Sequence, residues 1–282
     1  MRSLLAVLAV ALLVPPAGGA GAVRDASGYL LSRQQQGGGF AEPGRAPTPG
    51  LTAWAAIGLR AAGTPASALG ETQGYLTAAA ADLARLTDAE LVLTALAKLG
   101  SPPSSLVARV RAARRPSGAI GPALNSTVWG IIALRAAGRR APPGSIRYVL
   151  RHQHGSGGWS WAAGGAPDSN DTAAAVLALR AAGVSSKRRP VVRAVRYLRH
   201  LQNRDGGFEL VRGRGSDAQS TSWAVQAFLA ARARPGAAAL RYLARLQRAD
   251  GSVRYSGRYA VTPVWVTAQA LPALARKPLS VG

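Results

Sequence analysis

The chain has 282 residues, with 35 Lys+Arg against 12 Asp+Glu, a formal net charge of +23, and no cysteine. The missing thiols exclude a disulfide framework, a thiolate zinc site, an iron–sulfur cluster and a cysteine nucleophile. A hydrophobic content of 48% excludes collagen-like and wholly disordered chains, while the charge predicts association with something anionic and leaves the fold open.

Residues 1–22 read as a secretory segment. Arg2 supplies the positive end, Leu4 to Val14 form an apolar run, and small residues follow as far as Ala20-Gly21-Ala22, a small-x-small cleavage pattern. The run is shorter than the roughly 20 residues that a bilayer span requires. The expected division is a signal peptide, 1–22, followed by a single repeat domain, 23–282. The expected location is outside the cell or in a bacterial envelope.

From residue 23 onward the chain repeats itself. Gln, then Gly four residues later, then a large apolar residue recurs as Gln34-Gly38-Phe40, Gln153-Gly157-Trp159, Gln202-Gly206-Phe208 and Gln247-Gly251-Val253, with a weaker copy at Arg114-Gly118-Ile120. Tyr29, Tyr148, Tyr197 and Tyr242 precede the four Gln residues. A second phrase follows each copy: Thr52-Ala53-Trp54, Thr127-Val128-Trp129, Thr172-Ala173-Ala174, Thr221-Ser222-Trp223 and, last, Pro263-Val264-Trp265. A degenerate unit around Tyr75 and Leu91 completes a set of six.

Each unit reads as two helices. The first is amphipathic, as at Val191–Gln202, where Val192, Val195, Leu198 and Leu201 form the expected apolar stripe opposite arginines. The second is apolar nearly all round, as at Asp171–Ala182, and so is expected to be buried on every side. Arg60, Arg135 and Arg180 in the last turn, with Gly63, Gly138 and Gly183 beyond, mark its end. Pro272 is expected to stop the last helix near Leu271. Alternating apolar and amphipathic helices imply an all-α, two-layer architecture: an α/α toroid of six helix hairpins, with an open solenoid as the competing arrangement.

These phrases resemble the squalene–hopene cyclase and protein prenyltransferase repeat family. Gln202-Asn203-Arg204-Asp205-Gly206-Gly207-Phe208 is similar to that family's repeat signature. Asp168-Ser169-Asn170-Asp171-Thr172-Ala173 is similar to the Asp-x-Asp-Asp-Thr-Ala motif of class II terpene cyclases. The resemblance implies a closed ring of six helix pairs. It also implies that the proton donor would stand where this chain has Asn170, an amide that cannot act as a Brønsted acid. Asp168 and Asp171 remain as candidate acids, with helix capping as their competing role. The zinc of the prenyltransferase branch would need a cysteine that is absent. His152, His154 and His200 fall on or just after outer helices and suggest surface positions.

Trp54, Trp129, Trp223 and Trp265 are the candidate ligand-binding residues, with Asp217 beside them at an inner-helix start. Asp88, Glu90, Asp168, Asp171 and Asp217 are expected at one rim, where acids beside aromatics would also suit a sugar. The resulting expectation is an exported protein without catalytic activity, cofactor or metal. It would bind an apolar, isoprenoid-like or lipid molecule, or a partner, in its centre. Its arginine-rich outside would meet an anionic envelope or membrane surface, and no specific nucleic-acid role is expected. A divergent class II cyclase using Asp168 and Asp171 is the alternative.

Overall fold

A computed structural model describes residues 18–279. Most of the secretory segment lies outside the described residues, and its expected junction after Ala22 falls within the first helix.

Among the described residues, six outer helices alternate along the chain with six inner ones. The outer helices are α1 (Gly18–Leu31), α3 (Gly70–Ala79), α5 (Ser104–Ala112), α7 (Pro143–Arg151), α9 (Arg189–His200) and α11 (Ala237–Leu246). The inner helices are α2 (Pro49–Ala62), α4 (Leu86–Lys98), α6 (Leu124–Ala136), α8 (Ser169–Ala181), α10 (Ala218–Ala230) and α12 (Pro263–Leu274). Each inner helix packs on the next, and α12 packs on α2, so the ring is closed. The expected α/α toroid is the observed fold. A two-residue hairpin, β1 (Phe208–Glu209) with β2 (Ser216–Asp217), is the only strand pair among the described residues.

The repeat phrases are the joints of this ring. The apolar residue of each first phrase is buried between the layers, and its backbone N–H donates to the Thr hydroxyl of its inner helix. The pairs are Phe40 to Thr52 (2.9 Å), Ile120 to Thr127 (2.9 Å), Trp159 to Thr172 (2.9 Å), Phe208 to Thr221 (2.9 Å) and Val253 to Thr267 (2.8 Å). The repeat glycine sits in the left-handed region (φ 101° at Gly157, 89° at Gly206) against the backbone of the following outer helix. A Cβ at Gly206 would lie 2.6 Å from the Ala238 carbonyl oxygen, so glycine is needed for both conformation and space. Gln153 ties the joint by donating to the carbonyls of Gly157 (2.7 Å) and Pro190 (2.8 Å). At the seam, Gln247 makes the same bond to the Ala22 carbonyl (2.8 Å), and Gly251 packs on Asp25.

The ends of the inner helices are satisfied by neighbouring units. On the N-terminal side, the carbonyls of Trp161, Leu210 and Tyr255 accept from Asn125, Ser169 and Ala218 in the first turns of α6, α8 and α10. At the seam the carboxylate of Glu42 takes that place, accepting from Val264 (3.0 Å) and Trp265 (2.9 Å) at the start of α12. On the C-terminal side, Arg60, Arg135 and Arg180 donate to the carbonyls of Lys98, Ala181 and Ala230 on the next inner helix (2.9, 2.9 and 2.8 Å).

Three expectations are corrected. Val192 is 44% exposed, and α9 buries Val191, Ala194 and Leu198, with Leu201 just beyond its end. Val192 and Leu201 are nine residues apart, roughly half a turn out of phase on a helix, and cannot share a face. Pro272 does not stop α12, which runs to Leu274. Its missing N–H leaves the Ala268 carbonyl free of a helical partner. That oxygen faces Gly58 of α2, where a Cβ would lie only 2.6 Å away. The absent side chain lets α2 and α12 approach closely enough to seal the ring. Glu90 does not line the rim: it is fully buried, with its Oε1 against Gly130 of α6.

Candidate functional site

The sixth residues of α2, α6 and α10 are Trp54, Trp129 and Trp223. These three alternate inner helices place the rings at one depth, where they meet across the ring axis. The centroids are 5.5 Å (Trp54–Trp129), 5.9 Å (Trp54–Trp223) and 5.9 Å (Trp129–Trp223) apart, with interplanar angles of 85°, 90° and 89°. Each ring presents its edge to a neighbour's face, the arrangement the aromatic quadrupole favours. The intervening helices contribute small or aliphatic residues at this depth, Leu91 on α4 and Ala174 on α8, which leaves room for the three indoles.

Trp265 does not belong to this layer. Thr267, which bonds to Val253, fixes the register of the last unit, so the residue equivalent to the tryptophans is Gln269. Gln269 Oε1 accepts from Trp223 Nε1 at 3.1 Å and anchors the triad. Trp265 lies one turn nearer the N-terminal mouth. Below the triad, the buried Gln226 accepts from the backbone of Leu279, so the C-terminal segment packs against the ring at its other end.

Above the triad stands a polar rim. Asp171 is one turn before Ala174 on α8, and Asn125 one turn before Trp129 on α6. Asn125 Nδ2 donates to Asp171 Oδ1 at 2.7 Å. Burial, reinforced by the neighbouring Asp168, raises the Asp171 carboxyl to about 7, against a weaker opposite pull from the Asn125 bond. Asp168 accepts from the Asp171 backbone N–H at 2.8 Å and is the N-cap of α8. Asn170 pairs with the Ser169 hydroxyl (3.2 Å). Asp88 is engaged by Arg85 at 3.0 Å. The structure therefore brings Asp171, Asn125 and the triad into one mouth, with half-buried Leu51, Leu91 and Trp265 around it.

Asp217 belongs elsewhere. It caps α10, accepting from the Ser220 backbone (2.7 Å) and hydroxyl (2.8 Å), and burial raises its carboxyl. It lines a peripheral cleft of about 800 Å³ between the loops of the fifth and sixth units. Two features were not singled out from the sequence. Trp161 is 62% exposed, while its carbonyl receives the α6 N-terminus. Gln269 was hidden by the nearby Trp265, although the Val253–Thr267 spacing carries the register. Among the described residues there is no group of three or more His, Asp or Glu arranged to hold a metal, and no helix is long and apolar enough to cross a membrane.

A closed double barrel of six inner and six outer helices among the described residues defines an α/α toroid. Residues 144–260 match the squalene-hopene cyclase C-terminal domain family. A variant of the type II terpene cyclase MstE from Scytonema, in complex with geranylgeranyl dihydroxybenzoate, superposes with a TM-score of 0.72 at 15% identity, covering 92% of this chain and 97% of that one. A protein from Actinoplanes superposes with a TM-score of 0.67 at 20% identity over 91% and 98% of the two chains. A glycosidase variant in complex with glucose gives 0.67 at 14% identity over 93% and 97%. At these identities the likeness is one of fold. No curated protein matches the sequence. Residues 144–260 are therefore similar to a squalene-cyclase domain, and the whole chain shares the α/α toroid fold.

Proposed function

We propose that the protein is an exported, non-catalytic squalene-cyclase-like toroid that holds an apolar, isoprenoid-like or lipid ligand against the aromatic floor of its N-terminal mouth. The observation that carries this reading is the triad: Trp54, Trp129 and Trp223 meet across the axis at a depth where an enclosing reaction chamber would need open space. What remains above them is a surface of partly exposed indole and aliphatic groups, suited to seating the end or face of an apolar molecule. The exposed arginines of the outer helices, among them Arg189 and Arg196 on α9, suit docking to an anionic envelope or membrane surface.

A second reading, a divergent cyclase using Asp168 and Asp171, draws on one observation. The Asp171 carboxyl, raised to about 7, retains a proton near neutral pH one turn above the aromatics. Protonating an alkene demands a strong acid, and a carboxyl at about 7 is a weak one. Asp168 is occupied as a cap.

The test is a titration of purified protein with geranylgeraniol, followed by tryptophan fluorescence, with mass spectrometry of apolar molecules that copurify from the native host. Saturable quenching that weakens in Trp54→Ala, without cyclised product, supports the reading. Cyclised product from squalene or prenyl diphosphates that disappears in Asp171→Ala overturns it, as does an absence of binding.

A further inference from the structure

We infer that the cleft between the fifth and sixth units is a second binding site, separate from the mouth, and that its ligand is a carboxylated oligosaccharide. The cleft encloses about 800 Å³, within the roughly 300–1,000 Å³ usual for small-molecule sites. One wall is the β1–β2 loop, which presents Arg214. The other is the 255–259 turn, which presents Arg258 and Tyr259. Tyr242 and Arg245 of α11 close the back.

Both walls are held in place. The Glu209 side chain is buried, and its Oε2 accepts from the backbones of Gly213 (2.9 Å) and Gly215 (3.1 Å), the two residues flanking Arg214. Both glycines are left-handed, with φ of 88° and 85°, so the loop turns sharply enough to set Arg214 at its tip. Opposite, the Ser256 hydroxyl accepts from the backbones of Arg258 and Tyr259 (3.2 Å each), and the Ser256 N–H donates to the Tyr259 carbonyl (3.0 Å). At the back, the Tyr242 hydroxyl donates to the Ser216 carbonyl (2.8 Å), and Arg245 donates to the Asp205 carbonyl (2.7 Å).

The ring does not require these side chains. The corresponding loop of the fourth unit, 160–168, has no basic residue and no tyrosine, yet it makes the same joints. Tyr259 is 59% exposed, so much of its side chain is open to a ligand. The lining is also mixed in sign: three arginines face a space that Asp205 also borders, with Asp217 buried behind it. A densely phosphorylated polymer would meet the Asp205 carboxylate as well as the arginines. A sugar acid is complementary to the whole set. Its carboxylate suits a bidentate guanidinium, its hydroxyls suit Asp205 and the serines, and the flat face of its ring suits an exposed tyrosine.

The test is calorimetric titration of the full-length purified protein with trigalacturonate, with maltotriose and inorganic phosphate as neutral and anion-only probes. Arg214→Ala and Tyr259→Ala are compared with the α9 variant Arg189→Ala/Arg196→Ala, and unchanged melting temperatures establish that each variant is folded. Trigalacturonate binds saturably and more tightly than either control, and each cleft substitution weakens it by roughly tenfold or more, while the α9 variant binds as the parent does. Four results overturn the assignment: no saturable binding, equal loss in the α9 variant, insensitivity to the cleft substitutions, or phosphate displacing trigalacturonate at equal concentration.

Discussion

The ring centre and the rim cleft are built from the same repeat and have opposite characters. At the centre, equivalent positions of alternate units converge on the axis, and the side chains satisfy one another: indole edge on indole face, Trp223 on Gln269, Asn125 on Asp171. At the cleft, two adjacent loops depart from the repeat and present arginine and tyrosine to open space. Convergence of a repeat on its axis consumes side chains in packing. A loop that leaves the repeat frees them for a ligand. The difference separates side chains that hold the fold and offer a ligand only their mouth-facing surface from side chains left wholly to recognition.

The sharpest way to break that comparison is to remove the centre. Trp223→Ala takes away a side chain that is 5% exposed, both edge-to-face contacts and the partner of Gln269. The expected loss is about 3–5 kcal/mol of stability, measured by urea denaturation. A loss below about 1 kcal/mol would mean that the triad is not a structural element. Gly58→Ala is expected next. Its Cβ would meet the Ala268 carbonyl at 2.6 Å and force α2 away from α12, at a cost of about 1–3 kcal/mol, and limited proteolysis should open the seam first.

Glu90→Gln is expected to change a slope more than a midpoint. Burial without a hydrogen-bonding partner raises the Glu90 carboxyl well above its ordinary 4.5. A raised folded-state pKa contributes stability that is fully present below 4.5 and is lost as pH rises toward the folded value. The parent therefore loses stability over that interval, and the Gln variant, which cannot ionise, lacks this loss. Melting curves across pH check it, and parallel profiles would contradict it. The smallest expected effect is Tyr259→Ala, within about 0.5 kcal/mol of the parent. That outcome would leave the cleft free of a structural duty.

The ring was legible because its joints recur as sequence. The Gln–Gly–apolar phrase and the inner Thr are hydrogen-bonded to each other in every unit that has both, so their spacing carries three-dimensional information. Asp168 was legible for a related reason, since it occupies the N-cap slot that Thr48 and Asp217 fill in other units. Misreadings fell where phase mattered. Trp265 looked equivalent to Trp223 by residue type, yet its hydrogen-bonded Thr follows it instead of preceding it. Glu90 sits one residue before Leu91, about 100° around the helix, which turns it from the mouth toward Gly130. Neither the clasp of Glu42 on α12 nor the placing of Arg214 and Tyr259 on opposite walls of the cleft has a local signature. Both join loops that are distant in sequence and unlike their counterparts.

The central proposal is that the ring, packed at its axis by the tryptophan triad, holds its ligand without cyclising it. Product analysis of squalene and geranylgeranyl diphosphate incubated with the protein and with Asn170→Asp tests it most directly. Asn170→Asp restores the acid that the family motif carries. The account predicts no cyclised product from either protein, because the tryptophan triad still fills the axis. Cyclised product from Asn170→Asp alone would contradict it, since the only thing missing would then have been the proton.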